Sequence, residues 1–152
     1  MTYEELLTDA TNRGIVVKEY PLRSGSGRIN KNRIAIDKNI ITSREKKCIL
    51  AEEIAHYDIN TGNILNQEVE SNCKQEYKAR LLAYDRLVGI RGIIEAYEAG
   101  CRSIQSMSDY LDVTCDFLHD ALKAYESKYG EYTIVDQYIV YFIPYLGVMK
   151  LI

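Results

Sequence analysis

Thr42 and Glu45 stand three apart at the head of a mixed apolar and charged run, the spacing of a capping box, and they open a helix there. That helix is the strongest constraint in the chain, because it decides which side chains can act together. Cys48, Ile49 and Ala55 turn toward a core, while Glu52 and His56, four apart, share another face. Thr2 and Glu5 repeat the capping pattern, with Leu6, Leu7 and Ala10 as the apolar side and Gly14 as the stop. Residues 15–20 then read as a strand closed by Pro21, and Ser24-Gly25-Ser26-Gly27 reads as a loop. A second strand near Arg28-Ile29 turns at Asn30-Lys31-Asn32 into a third over residues 33–37.

Beyond the motif helix, residues 58–67, with Thr61-Gly62-Asn63, read as a loop, and Asn72 and Gln75 cap a further helix through Leu87. On it Glu76, Arg80, Ala83 and Leu87 line one stripe, and Ala79 and Ala83 are small enough for a neighbouring helix to approach closely. Residues 103–118 read as helix, tight turn, helix, continuing to Tyr129 with Phe117, Leu118, Ala121, Leu122 and Tyr125 as an apolar stripe. The apolar segment 138–149 is too short for a bilayer and holds Pro144 and Gly147, so a docked strand pair is expected. The 13 tyrosines, against two phenylalanines and no tryptophan, read as amphipathic core and interface filling.

A net charge of −3 removes any broad electrostatic case for nucleic acid or an anionic membrane. Cys48, Cys73, Cys101 and Cys115 lie far apart with no Cys-x-x-Cys pair, which suggests reduced thiols and a cytoplasmic setting. The first residues carry neither a basic nor an apolar stretch of the signal-peptide type.

Glu52-Glu53-Ile54-Ala55-His56 differs by one residue from the His-Glu-x-x-His signature of zinc peptidases. There, i and i+4 grip one metal and the intervening Glu acts as base. Here Glu52 puts an oxygen donor where nitrogen is usual. Such a string also arises by chance on charged helices. Its capped helix and the carboxylate of Glu76 on a second helix give it context. Glu76 can equally pair with Arg80, and His119, beside Asp116 and Asp120, reads as a surface residue. Tyr57 and Asp58 are alternative oxygen donors.

Residues 45–57, Glu45-Lys46-Lys47-Cys48-Ile49-Leu50-Ala51-Glu52-Glu53-Ile54-Ala55-His56-Tyr57, resemble the core of the ImmA/IrrE family of metallopeptidases from phage and integrative elements. Residues 74–85 resemble that family's second site helix, and segments 108–129 and 141–148 are similar to its phage-type members. The resemblance implies an α+β fold: an N-terminal helix, a small mostly antiparallel sheet, a zincin-like pair of site helices and a helical C-terminal unit. It divides the chain into a core, 1–100, and an appendage, 101–152, packed as one compact domain. It also implies Glu53 as general base and Glu52, His56 and Glu76 as metal ligands, the metal being zinc or, with so many oxygen donors, manganese. The implied activity is metal-dependent endopeptidase action on a phage-type helix-turn-helix repressor in the cytoplasm of a bacterial host. The alternative is a catalytically degenerate anti-repressor that inhibits its partner by binding.

Direct DNA binding by residues 103–119 is not expected. Asp109, Asp112, Asp116 and Asp120 would repel phosphate, with only Arg102 and Lys123 flanking them.

Overall fold

The computed structural model describes residues 1–62 and 72–151. The protein is α+β, and it divides into two compact units, Met1–Ala83 and Tyr84–Ile152. The first contains α1 (Tyr3–Asn12), β1 (Val16–Tyr20), β2 (Gly27–Asn30), β3 (Arg33–Asp37) and α2 (Ser43–Gly62); α3 (Asn72–Leu87) begins in it. Thr2 and Glu5 exchange both bonds of the expected capping box on α1. Leu6 and Ala10 are fully buried, and Gly14 takes a left-handed φ of 78° as the chain turns into β1.

The sheet is mixed rather than mostly antiparallel. Its order is β1-β3-β2, with β2 antiparallel to β3 across the Lys31-Asn32 turn and β1 parallel to β3. The hairpin was legible because its turn residues are local. The parallel pair was not, because loop 21–26 carries the chain past the place that β3 later fills. Ile34 and Ile36, 2% and 0% exposed, form the inner face of the central strand, and α2 packs against β2 and β3. Lys47 is a buried cation on α2, 1% exposed, whose Nζ donates to the Met1 carbonyl at 3.0 Å and ties the chain start to the helix.

The loop expected over residues 58–67 is corrected in its first part. Residues 58–62 continue α2, and Thr61 turns its hydroxyl back on the Tyr57 carbonyl at 2.9 Å instead of breaking the helix. The rest of that loop, 63–67, lies outside the described residues.

The second unit holds α4 (Gly89–Glu98), α5 (Ile104–Leu111), α6 (Cys115–Tyr129), β4 (Tyr132–Val135), β5 (Tyr138–Tyr141) and β6 (Gly147–Lys150). It is therefore not purely helical. The strand pair expected near the C-terminus is β5–β6, and β4 extends it to an antiparallel sheet of three. α4, with Gly89 and Gly92 in its first turn, was not assigned from the sequence. A Cβ on Gly92 would sit 3.2 Å from Leu111 Cδ2, so its absence is what lets α4 and α5 approach. Tyr125, fully buried, donates from Oη to Asp85 Oδ1 at 2.8 Å, and Tyr84 meets Phe117 edge-on at 5.1 Å. Tyr132 and Tyr145 remain exposed. All four cysteines are free thiols, and no helix among the described residues is long and apolar enough to cross a membrane.

Candidate metal centre

The site is built where α2 meets the first part of α3. Thr42 Oγ1 accepts from the Glu45 amide at 3.2 Å, so the predicted cap starts α2 in the expected register. One face of the helix is then buried through Cys48, Leu50, Ala51, Ile54 and Ala55. Glu52, Glu53 and His56 are left half-buried beside that face. On α3 the small residues Ala79 and Ala83 are buried at 0% and 1%, and Glu76 lies one turn before Ala79.

His56 Nε2 stands 3.2 Å from Glu76 Oε2, so α3 delivers its carboxylate to the motif histidine. The other oxygen, Glu76 Oε1, accepts from Arg80 Nε at 3.1 Å. Glu76 thus pairs with Arg80 along α3 and reaches His56 on α2. The guanidinium fixes the orientation of the carboxylate that faces the imidazole.

Glu53 sits under β2. Its carboxyl is pushed up to about 7, first by burial and then by the negative charges of Glu52 and Glu76. Sequence reasoning missed the residue that shapes this place. Gly27 of β2 leaves the room that the Glu53 side chain occupies, since a Cβ there would lie 3.1 Å from Glu53 Oε1 and 3.2 Å from its Cγ. The signal was present in Ser24-Gly25-Ser26-Gly27, which read only as loop composition.

Tyr57 and Asp58, the alternative donors, both lie beside Arg13. Arg13 hydrogen-bonds the Asp58 carboxylate and places its guanidinium 5.6 Å from the centre of the Tyr57 ring. Asp58 in turn holds the Arg13 guanidinium above its usual range. His119 is exposed beside Asp120, as its neighbours suggested.

The donor set can be tested against a metal. Ligand atoms about 2.0–2.2 Å from a tetrahedral zinc lie roughly 3.3–3.6 Å apart. The His56–Glu76 separation of 3.2 Å is close to such an edge. Among the described residues, however, no three His, Cys, Asp or Glu side chains are gathered into a group able to hold a metal. Two donors fit, and the third position would fall to Glu52. As residue i to His56 at i+4, it lies on the same face of α2 as the histidine. A recess of about 470 Å³ lined by Cys73, Glu76, Tyr77 and Arg80 opens beside this pair.

No protein-family model, no curated protein and no solved structure matches the chain.

Proposed function

We propose that the chain is a metal-dependent endopeptidase of the ImmA/IrrE type, acting on a helix-turn-helix repressor of a phage or mobile element. The observation that carries this reading is the approach of His56 Nε2 to Glu76 Oε2, 3.2 Å across two helices, with Glu53 half-buried beside them. A solvated helix face gives no reason for such a meeting. The charge balance supports it too: Glu52 and Glu76 lie close enough to Glu53 to raise its proton affinity, and a cation would relieve that repulsion.

Glu52, His56 and Glu76 would hold the metal, zinc by preference and manganese as the harder alternative. When bound, it supplies a Lewis acid that polarises the peptide carbonyl and acidifies water. The chain's own residues do the rest. Glu53 takes the proton of the attacking water and returns it to the leaving amine, a task suited to a carboxyl that titrates near neutrality. Arg80 holds Glu76 in place through Oε1. Gly27 keeps β2 from displacing the Glu53 carboxyl.

A second reading, the non-catalytic anti-repressor, is favoured by one observation: no complete donor group is assembled among the described residues. Glu53→Gln separates the two, because it keeps the shape of the side chain and removes the base. Loss of repressor cleavage and of derepression supports the peptidase. Derepression equal to the parent's leaves only binding.

A further inference from the structure

The face of the first sheet opposite α2 has no role in the chemistry above, and its charge is out of keeping with the chain. Residues 16–38 hold six Lys or Arg against two Asp or Glu, in a protein of net charge −3. The strand register concentrates them. Lys18 on β1 and Arg28 on β2 both pair with Ala35 on the central strand, so the two cations flank a short side chain across the sheet. Neighbouring strands are about 4.8 Å apart, which puts these cations on either side of a trough roughly 10 Å wide. Arg33, two residues before Ala35, points to the same face and adds a third cation.

Lys18, Arg28 and Arg33 are all exposed, and Val16 and Tyr20 on the same face are 44% and 51% exposed. A cleft of about 640 Å³ runs among these side chains. Arg28 Nη2 donates to Ser24 Oγ at 2.7 Å, but among the described residues no carboxylate pairs with Lys18, Arg28 or Arg33. Asp37, two residues after Ala35, shares this face at its Tyr20 end, where its Oδ1 accepts from the Leu22 and Asn39 amides; the three cations outnumber it and favour an anionic occupant.

We propose that this face docks an acidic, extended segment of the protein on which the chain acts. Alternate side chains of an extended peptide repeat at about 6.6–6.8 Å, the same spacing that separates Arg33 from the Lys18–Ala35–Arg28 row. Val16 and Tyr20 give apolar contact beside the charges. A single-stranded nucleic acid fits less well, since among the described residues Tyr20 is the one aromatic ring lining this cleft and such ligands use several for stacking. The segment held here is distinct from the bond cut, because the face lies across the sheet from α2 and Glu53. The inference rests on the reading that the partner is a protein, but not on catalysis.

The test uses the full chain and a fluorescein-labelled peptide of alternating Glu and Ser, with its Gln-for-Glu counterpart and an oligothymidylate of equal charge as competitors. The acidic peptide is expected to bind, the Gln peptide not, and binding should weaken as sodium chloride is raised. Lys18→Ala, Arg28→Ala and Arg33→Ala should each weaken it about threefold, and together about thirtyfold. Ala35→Glu, which places a carboxylate between two of the cations, should weaken it by a similar factor without removing them. Glu53→Gln and His56→Ala should bind as the parent does, so failure of the peptidase reading leaves this result intact. Absence of acidic-peptide binding, binding unchanged in the triple variant, or oligothymidylate bound more tightly through the same residues would each overturn the proposal.

Discussion

Gly27 on β2 and Glu53 on α2 are packed so closely that a Cβ on the glycine would stand 3.1 Å from Glu53 Oε1 and 2.7 Å from Ile49 Cγ2. The contact couples the sheet to the site helix at the position of the base. Gly27→Ala forces Ile49 or Glu53 to move and should cost about 1–3 kcal/mol of stability. Ile49→Ala in the same chain removes Cγ2 and should recover part of that loss. Urea midpoints of the two single variants and the double variant measure the coupling, and simple additivity would contradict it.

Burial and two neighbouring carboxylates raise Glu53 to about 7, so in chelator-treated protein its ionisation opposes folding. A carboxyl raised in the folded state contributes stability below its unfolded value, about 4.5, and that contribution is lost as pH climbs through 7. Glu53→Gln should therefore be more stable than the parent at pH 8 by about 1–2 kcal/mol, solvent screening at this half-buried group being allowed for, and no more stable at pH 4. Unfolding curves at the two pH values decide it, and equal differences at both would remove the assigned environment.

Tyr125 is fully buried with its hydroxyl 2.8 Å from Asp85 Oδ1, and burial, then the Asp85 charge, pushes the phenol well above its ordinary range. Tyr125→Phe should cost about 1–2 kcal/mol near neutrality. The raised acid stabilises below about pH 10 and ceases to do so as pH rises further, so the parent should lose stability above that point more steeply than the phenylalanine variant. Thermal melts from pH 8 to 11 would show parallel declines if the phenol were not buried.

Arg80 reaches the site through Glu76 Oε1, 3.1 Å away, which makes it a positioning residue. Arg80→Ala should weaken zinc binding about tenfold, and Arg80→Lys should restore part of the affinity by keeping a donor. Zinc titrations of the three proteins give the comparison. Equal affinities would reduce the Arg80–Glu76 contact to an ordinary surface pair.

The reach of sequence reasoning followed the range of the interactions. The caps at Thr2 and Thr42, the Asn30–Arg33 turn and the apolar stripe from Phe117 to Tyr125 are local, and each stands where its spacing placed it. The meeting of His56 with Glu76 was legible because i,i+4 geometry aimed one donor and a run of small residues left space for the other. What escaped depends on distant partners. The parallel β1–β3 pair is set by a crossover, α4 is held by the glycine contact with Leu111, and Lys47 is buried against the chain start. Gly27 matters only because α2 lies over it, which its own neighbours in sequence do not reveal.

Metal content tests the proposed centre most directly. Protein purified without chelator and offered zinc should hold about one ion per chain, and Glu52→Ala, His56→Ala and Glu76→Ala should each lose it while keeping the parent's circular dichroism. A parent that stays metal-free under micromolar zinc, or one whose zinc survives His56→Ala, would contradict the account.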